Sequence, residues 1–431
     1  MTNNCETIPQ HGKTFALVDA VRAALCYDPR TRVAWADVDE TRAAVGSQVA
    51  AYFPEVNGDA SVARVSQYVN YTNYAGANSS LNTRSDDVGA TLSWVLYDFG
   101  LRKANLASAR HSLDAAIATR DSVFQSVFLD AARTYFDVQL AQIAIESSIE
   151  TERAANRTLE IANSKWAVGA APLSDKVEAQ TALARAVLGR VRAENDFKKT
   201  LGTLAIRIGF RPNDISDVSK IVESDIESMA YRGAVDTLID QAVAQSPDLL
   251  AAQAQLASAR SRVDAVKALG KPTISLVASI DRSNTPISEV TTEQTIHNRS
   301  IGLQISIPLF DGFSTKYQLR EAEAQVEKRQ GELDEVKRKV SLDVWESSED
   351  FFDGISTVKA SMSFLDSARK SLILAQGRYQ EGIGDIQELL TAQSELANAQ
   401  QQHGRAVTLW ESARLRLQAS LGRLSLKQVT H

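Results

Sequence analysis

Five histidines are the first candidates for metal or acid–base chemistry, and their spacing supports neither. His11, His111, His297, His403 and His431 lie far apart, with no pair set one helical turn apart and no flanking cysteines. Gly382-Ile383-Gly384 comes nearest to a phosphate-binding loop. It lacks the further glycine and the preceding strand of a dinucleotide site, so it reads as turn chemistry. The many Asp and Glu residues read as solvated helix faces. Two cysteines, Cys5 and Cys26, remain. A bridge between them would stabilise the fold by about 3 kcal/mol in the chain-entropy model and would suit an oxidising compartment; two unrelated thiols is the other reading. No catalytic group, metal site or cofactor is expected.

The informative residues are those of strands that turn into helices. Ile301, Leu303, Ile305, Ile307 and Leu309 alternate with Gly302, Gln304 and Ser306, giving a strand with one apolar and one polar face. After Phe310-Asp311-Gly312 the pattern becomes a long run rich in Ala, Glu, Gln, Lys and Arg, as a helix requires. The same change occurs earlier: Val88, Ala90, Leu92, Trp94 and Leu96 alternate with Gly89, Thr91 and Ser93, and Tyr97-Asp98-Phe99-Gly100 leads into another helix. The chain therefore reads as a duplication, with residues 1–232 as one repeat and 233–431 as the other. Strands are expected near 55–74, 87–97, 273–281 and 300–309, with a bulge near Ala63-Arg64 and polar loops at 76–87 and 284–299. Each strand pair is followed by a helix of about 65 residues, nearly 100 Å at 1.5 Å per residue, and a shorter returning helix. Helix breaks are expected at Asp28-Pro29 and Ser246-Pro247.

No stretch of the 431 residues reaches the roughly 18 apolar residues of a membrane helix. Any membrane crossing must then use strands, since only helices and closed barrels satisfy their backbone groups in lipid. Four strands are too few to close, because about eight are the usual minimum; three copies would supply twelve. Ala104, Ala107, Ala109, Ala115, Ala116 and Ala118 allow close helix spacing and suit the wall of a water-filled tube. The net charge of -6 and the lack of a basic, aromatic-studded patch argue against nucleic acid. The first residues lack the charged and apolar regions of an export signal, so the chain is either cytosolic or read without its signal. No apolar segment precedes Cys5, so lipid modification there is not legible.

Pro54 before a strand, Leu96-Tyr97-Asp98-Phe99-Gly100 and its twin Pro308-Leu309-Phe310-Asp311-Gly312 after one, and the Val168-Gly169-Ala170 helix turn resemble the TolC-type outer-membrane factor family. The resemblance runs from Leu17 to Gly422. It implies an α+β membrane protein of the bacterial outer membrane: a homotrimer whose four strands per protomer form one twelve-stranded β-barrel, continued by a long periplasmic α-helical coiled-coil barrel. Leu25-Cys26, Pro29, Thr31-Arg32 and Ala34-Trp35-Ala36 look most like members that serve toxin and protease secretion, the cyclolysin exporter among them.

The same resemblance assigns candidate sites. The turns at Val168, Gly169, Ala170 and at Gly382, Ile383, Gly384 would form the periplasmic tip where an adaptor protein docks. Asp175 and Tyr379 match an acid and a tyrosine that bond between coils and hold the tunnel shut. Gly384 stands where the best-known relative has an arginine that completes this latch. Glu388 matches the first of two acids whose rings bind cations, while Thr391 stands at the second. The implied function is a passive exit duct of type I protein secretion, joined through a periplasmic adaptor to an inner-membrane ABC transporter, with outer-membrane lipid around the barrel. The alternatives are the outer-membrane component of a small-molecule or metal efflux pump, driven by a proton-powered pump, and, from another class, a soluble helical scaffold.

Overall fold

The computed structural model describes residues 14–70, 72, 79–220, 235–284, 294–422 and 424 of the 431-residue chain. In order come α1 (Leu17–Tyr27), α2 (Pro29–Ala50), β1 (Glu55–Val69), β2 (Ser79–Tyr97), α3 (Leu101–Ala167) and α4 (Leu173–Arg207). There follow α5 (Val235–Gln245), α6 (Pro247–Leu269), β3 (Thr273–Asn284), β4 (Thr295–Ser306), α7 (Ser314–Glu381) and α8 (Ile386–Ser420). The order helix, helix, strand, strand, helix, helix occurs twice. Pro29 and Pro247 open α2 and α6, where a missing N–H costs nothing. The Asp28 carboxylate caps α2 by accepting the Arg30 N–H at 2.8 Å. α3 runs 67 residues without a glycine or proline, the composition a helix of that length needs.

The residues form two compact units. The first comprises Met1–Asp37, Ile117–Leu250 and Asp334–His431, and its core is built twice. α1 packs with α3 and α4 around Val21, Val127, Phe128, Tyr135, Leu204 and Ile208. α5 packs with α7 and α8 around Leu238, Val344, Phe351, Val407, Trp410 and Leu417. Phe351 stacks on Trp410 with 6.2 Å between centroids. Phe15 forms a parallel bridge to Val218, and the buried Tyr135 hydroxyl donates to the Phe15 carbonyl at 3.1 Å. Burial pushes that hydroxyl up to about 12. The segment before α1 is thereby tied to the segment after α4.

The second unit, Val38–Ala116 with Ala251–Leu333, carries one sheet in the order β1-β2-β3-β4, every neighbour antiparallel. Its helices pack through Val263, Val266 and Ala322. The Ser258 hydroxyl lies 3.0 Å from those of Ser108 and Ser112, so small polar residues let α6 approach α3 closely.

Two expectations for the strands are corrected. The β1–β2 register runs unbroken through Ala63↔Ser85 and Arg64↔Arg84, so no bulge lies there. Apolar residues lie on both faces there, Val62 on one and Ala63 and Val65 on the other, so parity no longer reports which side is buried. The bulge instead lies in β2 between Val95 and Tyr97. The ladder outruns the apolar alternation at one end and stops short of it at the other: β2 begins at Ser79 and β4 at Thr295, inside segments expected to be loop, while β4 ends at Ser306, before Ile307 and Leu309. Polar cross-strand bonds carry these extensions, such as Arg64 Nε to Asn82 Oδ1 at 3.1 Å and Asn298 Nδ2 to Asp281 Oδ2 at 2.8 Å. Among the described residues no helix is long and apolar enough to cross a membrane.

Candidate functional sites at the helix tips and the sheet

The two helix tips of the first unit end in the same way. At the end of α3 the Gly169 N–H donates to the Trp166 carbonyl at 3.0 Å and the Ala170 N–H to the Lys165 carbonyl at 2.8 Å. At the end of α7 the Gly382 N–H donates to the Tyr379 carbonyl at 3.2 Å and the Ile383 N–H to the Arg378 carbonyl at 3.0 Å. Gly169 has φ +73° and Gly382 φ +78°. These are Schellman closures, which need a left-handed residue and hence glycine. Val168 and Ile383 project from the two turns and are exposed.

Behind the turns lies a small core of Ala162, Ala179, Tyr379, Ile386 and Leu389. Tyr379 is 2% exposed. Burial pushes its hydroxyl above the ordinary tyrosine value, and the negative Asp175 carboxylate on α4 adds to the rise. The structure thus brings Asp175 and Tyr379 together, although the hydroxyl makes no hydrogen bond of normal geometry. Lys165, which the sequence did not single out, reaches across from α3: its Nζ donates to the Tyr379 carbonyl and sits 4.7 Å over the Tyr379 ring. Glu388 follows the cap Asp385, whose side chain accepts the Glu388 N–H at 2.7 Å, and it lies 3.6 Å from Arg378. A Cβ on Gly384 would come 3.0 Å from Arg378 Cβ and 3.2 Å from Glu388 Oε2, so close approach rather than backbone twist favours glycine here. The signal for Lys165 and Arg378 was present: each stands four residues before a turn glycine, in the last turn of its helix, where a cation suits the helix dipole. Alongside this core, α3, α4 and α8 line a groove of about 650 Å³ that includes Ala155, Val177, Ala186, Gly189, Leu390 and Thr391.

In the second unit the register sorts the strands into two faces. One row runs Val56, Leu92, Ala278, Ile301; the next runs Trp94, Leu276, Leu303; and Tyr97, Ile274, Ile305 follow. On the other face Asn57, Thr91, Ser279 and Ser300 align, then Asp59, Gly89, Asp281 and Asn298. The β2 bulge is what brings Tyr97, rather than the expected Leu96, opposite Ile274. The apolar face is uncovered: Ile301, Leu303 and Ile305 are exposed. Among the described residues both lateral edges are open as well, since β1 and β4 each pair on one side only.

Each strand-to-helix joint is held by an aspartate. Asp98 accepts the Arg102 N–H at 3.0 Å and its Nε at 2.8 Å, and Asp311 accepts the Thr315 N–H at 2.8 Å. Burial would raise the Asp98 carboxyl, but its bonds to Arg102 and Gly100 outweigh that and hold it below the usual carboxylate range. Asp98→Asn is expected to destabilise the unit by about 3 kcal/mol near neutral pH, since it strands a largely buried guanidinium. A depressed carboxyl stabilises above its unfolded value of about 3.9 and stops doing so as pH falls through its folded value. The difference between variant and parent in urea unfolding should accordingly shrink on acidification. Phe99 and Phe313, at the same two joints, have φ of 51° and 67°, a conformation costing a non-glycine residue about 1–2 kcal/mol.

Cys26 packs at the edge of the α1 core, and no free cysteine occurs among the described residues; Cys5 lies outside them.

Comparison with known proteins gives a consistent picture. The model of the family described as outer membrane efflux protein matches residues 20–209 and 238–423. The chain is similar to protein CyaE of Bordetella pertussis, 30% identical over 411 residues that cover 95% of this chain and 84% of the relative. It is also similar to the alkaline protease secretion protein AprF of Pseudomonas aeruginosa, 25% identical over 301 residues, covering 69% of this chain and 62% of that one. Among solved structures it shares the fold of the outer-membrane channel OprN, with a TM-score of 0.81 at 20% identity, covering 98% and 96% of the two chains.

Proposed function

Because the chain belongs to the outer membrane efflux protein family, we propose that three copies assemble into a passive exit duct for type I protein secretion. The observation that carries this is the sheet. Among the described residues it has a continuous apolar face that no other element covers and two unpaired edges, and both are satisfied if β4 of one copy pairs with β1 of the next until twelve strands close in lipid. The long helices, two tips per copy, would extend the pore into the periplasm.

The turns Val168-Gly169-Ala170 and Gly382-Ile383-Gly384 would meet the helical hairpin of a periplasmic adaptor, with exposed Val168 and Ile383 as apolar contacts. Asp175 and Tyr379 would form the gate. Lys165 takes over part of the latch for which Gly384 has no side chain, and Glu388 lines the constriction as a cation ring, its charge tempered by Arg378. The two repeats, 1–232 and 233–431, would arise by duplication, as the doubled core and doubled turn support. Cys5 and Cys26 would bridge in the periplasm; an intact mass lighter by a pair of hydrogens than the dithiol form checks this. The duct has no energy source of its own, so an inner-membrane ABC transporter would drive cargo. Similarity to an alkaline protease secretion protein favours protein cargo.

Co-expression with an adaptor, an ATP-driven exporter and its protein cargo should release that cargo into the medium, and planar bilayers should show cation-preferring channels whose preference falls in Glu388→Gln. A monomeric protein without conductance would overturn the duct. Conductance without cargo release, under conditions where small molecules are extruded, would replace protein secretion by efflux.

A further inference from the structure

At the joint between β2 and α3 the second unit holds a cleft of about 660 Å³ lined by Tyr52, Trp94, Tyr97, Phe99, Arg102 and Lys103. Its walls are fixed. The Trp94 indole donates to the Tyr52 carbonyl at 3.0 Å, and Arg102 lies 4.8 Å over the Tyr52 ring. The Arg102 guanidinium is fully engaged, by Asp98 and by the carbonyls of Ala51 and Leu96 at 3.3 Å. Lys103, on the next position of the helix, is exposed and has no partner among the described residues. Among the described residues the cleft therefore has aromatic walls, an internally neutralised floor and one free cation, Lys103.

Two further observations indicate what covers it. The cleft continues the apolar sheet face, since Trp94 and Tyr97 align with Leu276 and Ile274 of β3. And Phe99 keeps a left-handed backbone that a glycine would adopt without strain, while its ring remains 40% exposed; Phe313, at the second joint, does the same at 59% exposure. The edge-to-face contact of Phe99 with Tyr97, 4.7 Å between centroids, offsets only part of that strain, so fold stability alone does not select an exposed phenylalanine at such a position. Rings that gain from the boundary between hydrocarbon and water do.

We propose that this cleft is a binding site for an anionic glycerophospholipid: Lys103 pairs with the headgroup phosphate, Tyr52, Trp94, Tyr97 and Phe99 pack around the glycerol and ester region, and the acyl chains run along the apolar face towards Leu92 and Leu276. The aspartate at the joint does not repel the phosphate, because its charge is consumed by Arg102 and by backbone N–H groups. The second joint offers a lesser version, with Lys316 6.0 Å from the Phe313 ring. This inference rests on the reading that the sheet lies in a bilayer.

The test uses the full-length assembly in nanodiscs of phosphatidylcholine, alone or mixed with phosphatidylglycerol, with retained lipid read by native mass spectrometry. Phosphatidylglycerol should be enriched over phosphatidylcholine. Lys103→Glu should lower that enrichment by roughly five-fold or more, the effect of one lysine near an anionic surface, whereas Lys103→Arg should keep it. Phe99→Gly should raise resistance to unfolding in detergent and yet lower lipid retention. Equal retention of both lipids, or enrichment unaffected by Lys103→Glu, would overturn the site. Conductance measured on the same preparations separates the two readings: channels without lipid preference remove only the site, while failure to insert removes both.

Discussion

Leu303→Arg is expected to prevent the protein from reaching or holding a membrane-inserted assembly, with almost none recovered as a heat-modifiable oligomer from outer membranes. Leu303 is 69% exposed on β4 and aligns with Leu276 in the middle of the apolar face. A lysine or arginine on the lipid face of a barrel costs about 2–4 kcal/mol near the midplane, and an assembly of three copies would incur that cost three times. The neighbouring substitution Gln304→Arg supplies the control, because Gln304 aligns with Ser275 on the polar face. It should insert normally and change only conductance or ion preference. If both variants inserted equally well, the division of the sheet into lipid and water faces would be wrong.

Tyr379→Ala should have the second large effect, a tip that opens without an adaptor. Removing a ring that is 2% exposed and anchors the tip core costs about 3–5 kcal/mol, and it also takes away the surface on which Lys165 rests. Single-channel conductance should rise several-fold, and proteolysis near residues 165–175 and 378–386 should speed up. Tyr379→Phe discriminates between two sources of closure. The hydroxyl makes no normal hydrogen bond, so if packing holds the tip, phenylalanine should leave conductance nearly unchanged. If the polar pairing with Asp175 holds it, phenylalanine should open the tip as alanine does. The pH dependence has a fixed sign. Tyr379 is held neutral by burial and by Asp175, so its contribution is complete below the ordinary tyrosine range near 10 and is lost only as pH rises beyond that range.

Strand faces and helix boundaries were legible because both depend on local chemistry that a sequence displays directly. Alternation at 88–94, 274–280 and 301–305 gave the faces, and Pro29, Pro247 and the turn glycines gave the ends of helices. The strand ends were not legible. Ser79 to Asp87 and Thr295 to Arg299 pair through their backbones while their side chains are mostly polar, so no periodicity marks them. The bulge has a related reason: loss of alternation at Ala63-Arg64 reflects apolar residues on both faces of a regular strand, Val62 on one and Ala63 and Val65 on the other, whereas the true bulge hides where Val95, Leu96 and Tyr97 are all apolar or aromatic. At the tips, Tyr379, Asp175 and Glu388 came from likeness to a family. Spacing before the turn glycines marks Lys165 and Arg378 as helix-end cations, but their partners required the three-dimensional arrangement, since nothing in spacing alone says that a lysine on α3 will find a carbonyl on α7.

The bare margins of β1 and β4 have a genetic consequence. If copies complete one another's sheets as proposed, each chain shares its fate with its neighbours, so a faulty allele expressed beside a sound one should poison most mixed complexes, and the defect should behave as dominant. Damage confined to the tips should instead act by dosage, because a closed barrel with one slack hairpin would still stand.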